Sequence, residues 1–144
     1  MNTTEFLSSI KTRGATIYSP AQKRDIELAN TALQSHRCAM FPNVFLDLYN
    51  HASAINLGNG YIFGPVEVAR GIIAPIPSIV DININLIATP DIRGKTIFGR
   101  NDLFWFAFDA FGTFYMLDNL NLRVLRKYDD PYRAMTDCLI AGKF

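Results

Sequence analysis

Hydrophobic residues crowd two runs near the centre of the C-terminal half, Leu103 to Phe108 and Thr113 to Leu117, on either side of a turn at Asp109 to Gly112. The first run has almost no polar alternation, which is the pattern of a strand covered on both faces. Lys95 to Phe98 before it and Arg123 to Tyr128 after it also read as strands, and the short turns between them favour antiparallel neighbours. Further upstream, Leu57-Gly58-Asn59-Gly60 reads as a turn leading into a strand near Tyr61 to Phe63.

Helical periodicity marks the remaining segments. Thr3 or Thr4 is placed to cap a first helix running to about Lys11, with Phe6, Leu7 and Ile10 on one face and Gly14 at its end. Ser19 followed by Pro20 is a start signal for a helix to about Gln34, with Ile26, Ala29, Ala32 and Leu33 opposite Lys23, Arg24 and Glu27. Pro42 at the first helical position opens another, whose stripe is Val44, Phe45, Leu48 and Tyr49. Between Pro65 and Pro77, Val66 to Arg70 is compatible with a short helix and Ile72 to Pro77 with extended chain. Ser78 caps an expected helix from Ile79 to about Ala88, although Ile82, Ile84 and Leu86 alternate with Asp81, Asn83 and Asn85 in a rival strand pattern. Asp130-Pro131 repeats the start signal for a last helix with Tyr132, Met135, Cys138 and Leu139 facing inward. The expected fold class is α+β, a single antiparallel β-sheet with helices packed on it.

A chain of 144 residues that is 49% hydrophobic and 12% aromatic can bury a full core, so one domain spanning residues 1–144 is expected. Its net charge of +1, with no basic run longer than Arg126-Lys127, argues against direct nucleic-acid binding. The first residues have no basic segment followed by a long apolar core, which leads to the expectation of a cytoplasmic protein. The apolar stretch from Gly71 to Val80 is interrupted by Pro75 and Pro77 and is too short to span a bilayer, so no membrane partner is expected. Cys38 and Cys138 read as reduced core residues.

Searching for chemistry yields little. His36-Arg37-Cys38 offers two candidate zinc ligands where a site needs three or four, and His51 has no partner at ligand spacing. Asp109, Asp118, Asp129 and Asp130 are each placed where turns, strand ends and helix caps use aspartate. Gly58-Asn59-Gly60 lacks the Lys-Ser/Thr of a phosphate loop. No serine sits in a nucleophile elbow. The expectation is therefore no catalytic residue, no metal and no cofactor. Arg123, Arg126 and Lys127, with Arg100 and Arg133 nearby in sequence, suggest an anion-binding face, but an edge strand protected by charge explains them more simply.

Three segments taken in order carry a resemblance. Phe41-Pro42-x-x-Phe45-x-x-Leu48, then Gly58-Asn59-Gly60 with Phe63-Gly64, then a strand pair about Gly112-Thr113 followed by Val124 and a closing helix from Pro131 to Ala141, together resemble the SUKH superfamily. The likeness runs from roughly Ser19 to the C-terminus. Asn50-His51 stands where many members have Asn-Gly, and Gly112-Thr113 where many have Gly-Asp. This resemblance implies a small α+β domain without a catalytic group. It implies an immunity protein of a contact-dependent or polymorphic toxin system, bacterial and cytoplasmic, that neutralises a cognate protein toxin domain by stoichiometric occlusion. The alternative is a regulatory or scaffold domain that binds a host protein, as in the fungal cell-wall branch. The expected contact surface is the open side of the sheet, with Tyr61, Phe63, Trp105 and Tyr115 as aromatic candidates and Asp109, Asp118 and Arg126 as charged ones.

Overall fold

In the computed structural model, residues 1–86, 92 and 94–140 are described. They form helices α1 (Thr3–Thr12), α2 (Lys23–Ser35), α3 (Asn43–Tyr49), α4 (Ile79–Leu86) and α5 (Pro131–Ile140). The strands are β1 (Thr16–Ile17), β2 (Ile55–Leu57), β3 (Gly60–Ile62), β4 (Val68–Arg70), β5 (Ile73–Ile76), β6 (Lys95–Arg100), β7 (Phe104–Asp109), β8 (Phe114–Asp118) and β9 (Val124–Tyr128). Seven strands make one antiparallel sheet in the order β1-β2-β3-β6-β7-β8-β9, and β4-β5 form a separate two-stranded hairpin. The α+β class is as expected, but the sheet is not single. The hairpin fills the excursion between β3 and β6, which are neighbours in the main sheet.

Pairing register sorts the side chains of the sheet onto two faces, because directly opposed residues point the same way. Thr96, Phe108, Phe114 and Tyr128 share one face, joined beyond a bulge in β6 by Gly99, Phe106, Met116 and Arg126. Here Phe45 of α3 packs against Phe98, Phe108 and Phe114, with ring centroids 5.1, 5.2 and 6.0 Å away. Such ring pairs contribute about 0.5–1.5 kcal/mol each beyond their area burial. Helix α5 lies on the same face, in contact with β2, β3 and β6 to β9. Its approach is unusually close because two glycines meet it. A Cβ at Gly60 would stand 2.8 Å from the Cys138 carbonyl oxygen and from Leu139 Cα, and one at Gly99 would stand 2.7 Å from Cys138 Sγ and 2.5 Å from the Tyr61 carbonyl oxygen.

Beyond Phe63 the chain leaves the sheet, and the outward-facing backbone of β6 needs another partner. Asn83 of α4, fully buried, supplies it. Its Oδ1 accepts from the Ile97 N–H at 2.8 Å, and its Nδ2 donates to the Ile97 carbonyl at 2.8 Å and to the Ile79 carbonyl. A helix side chain thus stands in for a strand.

The expected helix starts are corrected in three places, one being Pro42, which is extended with ψ of 163° and caps α3 from outside while the helix opens at Asn43. Asn2, not Thr3 or Thr4, caps α1, accepting from the Glu5 N–H at 2.8 Å while the Glu5 carboxylate accepts from the Asn2 N–H. The helix expected from Pro20 begins at Lys23, since backbone bonds from Ala21 N–H to Tyr49 and from Ser53 N–H to Ser19 keep the chain extended there. Val66 to Arg70 is not helical: it ends in β4, which pairs with β5. The helical reading of 79–88 holds as far as Leu86, with the Ser78 hydroxyl accepting from the Asp81 N–H; position 88 lies outside the described residues, as does Ala141. Cys138 is buried as expected, and Cys38 is only half-buried. His51 has no left-handed backbone, so a turn without glycine at that position is unstrained.

Two substitutions test this account. Gly99→Ala drives a methyl into the Tyr61 backbone and is expected to cost about 1–3 kcal/mol in urea denaturation, the range of an overpacked core. Arg37 is exposed with φ of 63°, and it follows α2 in a Schellman turn in which Cys38 N–H bonds the Leu33 carbonyl and Arg37 N–H the Gln34 carbonyl. Arg37→Gly is therefore expected to raise stability by about 0.5–1 kcal/mol, read as a higher melting temperature.

Candidate functional site

The face opposite α5 carries a row of alternating cations and aromatic rings. Tyr61 of β3 pairs with Arg100 of β6, which pairs with Trp105 of β7, so the three side chains project together. The Arg100 guanidinium lies 4.6 Å from the Trp105 ring centroid. On the other side of Tyr61, Arg70 reaches across from β4 and sits 5.3 Å from the Tyr61 ring centroid. Its Nε donates to the Ala74 carbonyl at 2.8 Å, which ties it to its own hairpin, and its Nη1 is 3.4 Å from the Tyr61 hydroxyl. All four residues are half-buried. Stacking on a ring engages the face of a guanidinium and leaves its N–H edge free for in-plane partners.

The β4–β5 hairpin and the Tyr61, Arg70 and Arg100 side chains border an open cavity of about 250 Å³. Tyr61, Phe63, Arg70 and Arg100 line it, Pro75, Ile76, Pro77 and Ile82 provide apolar wall, and Asn59 and Asp102 complete it. The Asn59 amide donates to the Asp102 carboxylate at 2.6 Å. Among the described residues, the one ion pair is Arg126 with Asp137, at 3.4 Å on the other side of the sheet. The hairpin tip beside the cavity exposes Ile72 completely and Ile73 by 60%.

The residues proposed from sequence divide across the structure. Tyr61 and Trp105 belong to the row. Asp109 and Tyr115 lie on the same face but in a closed local network: the Tyr115 hydroxyl donates to Asp109 at 2.6 Å, the Lys95 ammonium sits over the Tyr115 ring, and Tyr115 is only 9% exposed. Phe63 is corrected to a core residue, 1% exposed, with its carbonyl receiving the Tyr49 hydroxyl at 2.7 Å. Arg126 and Asp118 are corrected to the α5 face, since they pair with Met116 and Phe104. There Tyr128, whose pKa burial raises first and hydrogen bonding to Asp137 raises further, donates to Asp137 at 2.8 Å with Arg126 alongside. Asp118 accepts from the Asn121 and Leu120 N–H groups, which lower its pKa, and so serves a turn. Sequence reasoning named Arg100 only as a neighbour of the β9 cations and passed over Arg70. The one signal for Arg70 is its place before Gly71 at a hairpin apex, which shows only once β4 is recognised as a strand.

Elsewhere, the polar groups singled out are locally engaged. His36 Nδ1 meets the Ala32 carbonyl at 2.8 Å, His51 Nδ1 meets the Asp47 carbonyl, and Asp130 accepts from the Tyr132 N–H. Among the described residues no group of three or more His, Cys, Asp or Glu side chains is arranged to hold a metal ion, and no helix is long and apolar enough to cross a membrane. No protein-family model matches the chain, and no curated protein or solved structure matches it.

The Asp109 network carries a pH signature. Burial alone would raise the Asp109 pKa, but the Tyr115 hydroxyl, the Thr113 and Phe111 N–H groups and the Lys95 ammonium together hold it below the usual carboxylate value. A carboxyl depressed in the folded state stabilises above its unfolded pKa and loses that contribution as pH falls through the folded value. Tyr115→Phe removes one stabilising partner. The Asp109 carbon resonance is expected to titrate at higher pH, and the variant to be less stable by about 1 kcal/mol at neutral pH, the worth of one such bond. That deficit is expected to shrink as pH falls below about 4, where the unfolded carboxyl protonates.

Proposed function

We propose that this protein is a stoichiometric binding module, an immunity protein that occludes the active or substrate surface of a cognate toxin domain. The observation that supports this reading is the ordered row of Arg70, Tyr61, Arg100 and Trp105 beside a hairpin tip that presents Ile72 and Ile73 to solvent. Trp, Tyr and Arg are the residue types that dominate binding energy at protein interfaces. Holding each cation against a ring before contact reduces the ordering cost of association. The resemblance of the ordered segments Phe41 to Leu48, Gly58 to Gly64 and Gly112 to the closing helix to SUKH domains supports the same reading.

Occlusion needs a surface, not a reacting group. A partner seated on the hairpin tip and the row would bury the two isoleucines at the centre and leave charge at the rim, the usual layout of a stable interface. The net charge of +1 leaves long-range steering weak, so affinity has to come from close contacts.

The test is co-purification of the tagged protein with the products of its native flanking genes, with identification of stoichiometric partners by mass. Recovery of a one-to-one toxin fragment whose lethality this protein suppresses is the expected result. Recovery of a housekeeping protein with no protection from any neighbouring toxin would overturn the immunity reading in favour of a regulatory domain. The double variant Ile72→Glu/Ile73→Glu is expected to keep its melting temperature and to weaken the complex by about tenfold or more, whereas Arg126→Ala on the opposite face leaves binding unchanged.

A further inference from the structure

We propose that the cavity between the β4–β5 hairpin and the sheet is a binding site for a small organic anion. The Arg70 and Arg100 guanidiniums hold its carboxylate or phosphate group, and Tyr61, Pro75 and Ile82 pack on its apolar body. The site stands independently of any protein partner.

Three features carry the assignment. First, two guanidiniums from different elements line one cavity, and neither is in an ion pair among the described residues. Like charges lining one cavity repel, and an anion attracted to both outweighs that repulsion. Second, both cations are fixed in ways that leave donors over. Arg70 donates through Nε to the Ala74 carbonyl and through Nη1 to the Tyr61 hydroxyl, with its guanidinium over the Tyr61 ring; the Arg100 guanidinium lies over the Trp105 ring. Among the described residues Arg100 makes no side-chain hydrogen bond. The remaining N–H donors of such guanidiniums suit the planar fork of a carboxylate or two oxygens of a phosphate. Third, the size and walls fit an organic body. A volume of about 250 Å³ compares with roughly 10–15 Å³ on the same measure for one water, and it lies just below the usual range for small-molecule pockets. Prolines, isoleucines and a tyrosine ring are poor hosts for a hydrated inorganic ion and good ones for a compact apolar group.

Asp102 sharpens the test. It is the one carboxylate lining the cavity among the described residues, and Asn59 holds it at the rim. An anion bound by the arginines is repelled by it, so removing its charge has to strengthen binding. A cavity that merely accommodates apolar groups would be indifferent.

The experiment is a two-dimensional NMR titration of the full chain with benzoate, with phenyl phosphate, and with neutral benzyl alcohol as the control. Saturable shifts centred on Tyr61, Arg70 and Arg100 are expected with at least one anion and not with benzyl alcohol; the tighter of the two anions identifies the head group. Arg70→Gln and Arg100→Gln are each expected to weaken binding by about tenfold or more with spectra that remain dispersed, and Asp102→Asn to tighten it severalfold. Absence of saturable shifts with both anions would overturn the proposal. So would equal response to benzyl alcohol, binding that survives loss of both arginines, or an affinity unmoved by Asp102→Asn. A failed co-purification, by contrast, bears on the protein partner alone.

Discussion

Everything in this molecule depends on how near α5 comes to the sheet. Gly60 and Gly99 have no side chains on the face where the helix lies, so the backbone at Cys138 and Leu139 rests almost directly on β3 and β6. Close packing of this kind tolerates no added carbon, and it brings a thiol within reach of a strand carbonyl: Cys138 Sγ lies 3.3 Å from the Tyr61 oxygen. Burial pushes the Cys138 thiol well up, so it stays protonated and able to donate. The Tyr61 main chain is therefore held from one side of the sheet while its ring forms the floor of the cavity on the other. The helix also determines where Arg100 stands, because Gly99 immediately precedes it.

The second structural decision is what happens between β3 and β6. Neighbouring antiparallel strands are usually joined by a tight turn, but here the chain leaves the sheet after Phe63, whose N–H still bonds the Phe98 carbonyl, and the next sheet strand among the described residues begins at Lys95. In the interval it builds the β4–β5 hairpin and α4. The departure would strand backbone polar groups on β6, and the Asn83 amide removes that cost by meeting both groups of Ile97. The same departure brings Arg70 back over Tyr61. A cavity forms because the excursion folds against the sheet it left, with Ile76 and Ile82 from its two elements as wall.

The four C-terminal strands and α5 were legible because their signals are local: apolar runs bounded by turn residues, and an Asp-Pro start. Asn83 shows why α4 was ambiguous. Its alternation with isoleucines looks like a half-buried strand, yet its role depends on a backbone 14 residues away that periodicity cannot see. Pro20 misled for a related reason, since the bonds that hold residues 19–21 extended come from Tyr49 and Ser53. The candidate site was half legible. Tyr61 and Trp105 stand out as large aromatic residues on strands, but register and overlying packing decide what a side chain meets: Arg126 falls on the α5 side, and Phe63 lines the cavity yet is buried. Arg70 joins the site only through the hairpin's return.

The two arginines belong to different parts of the structure, which gives the cavity a mechanical consequence. Arg100 rides on strands clamped beneath α5, whereas Arg70 belongs to a two-stranded hairpin, a unit with little independent stability. An anion bridging both guanidiniums would tie the hairpin to the sheet, and the hairpin tip carries Ile72 and Ile73. Ordering that tip in advance removes part of the cost a protein partner otherwise bears on docking. Reciprocity then requires that a docked partner strengthen anion binding by the same factor. Were an anion and a protein partner both to bind as proposed, their occupancies would be linked through Arg70, with no change needed in the sheet.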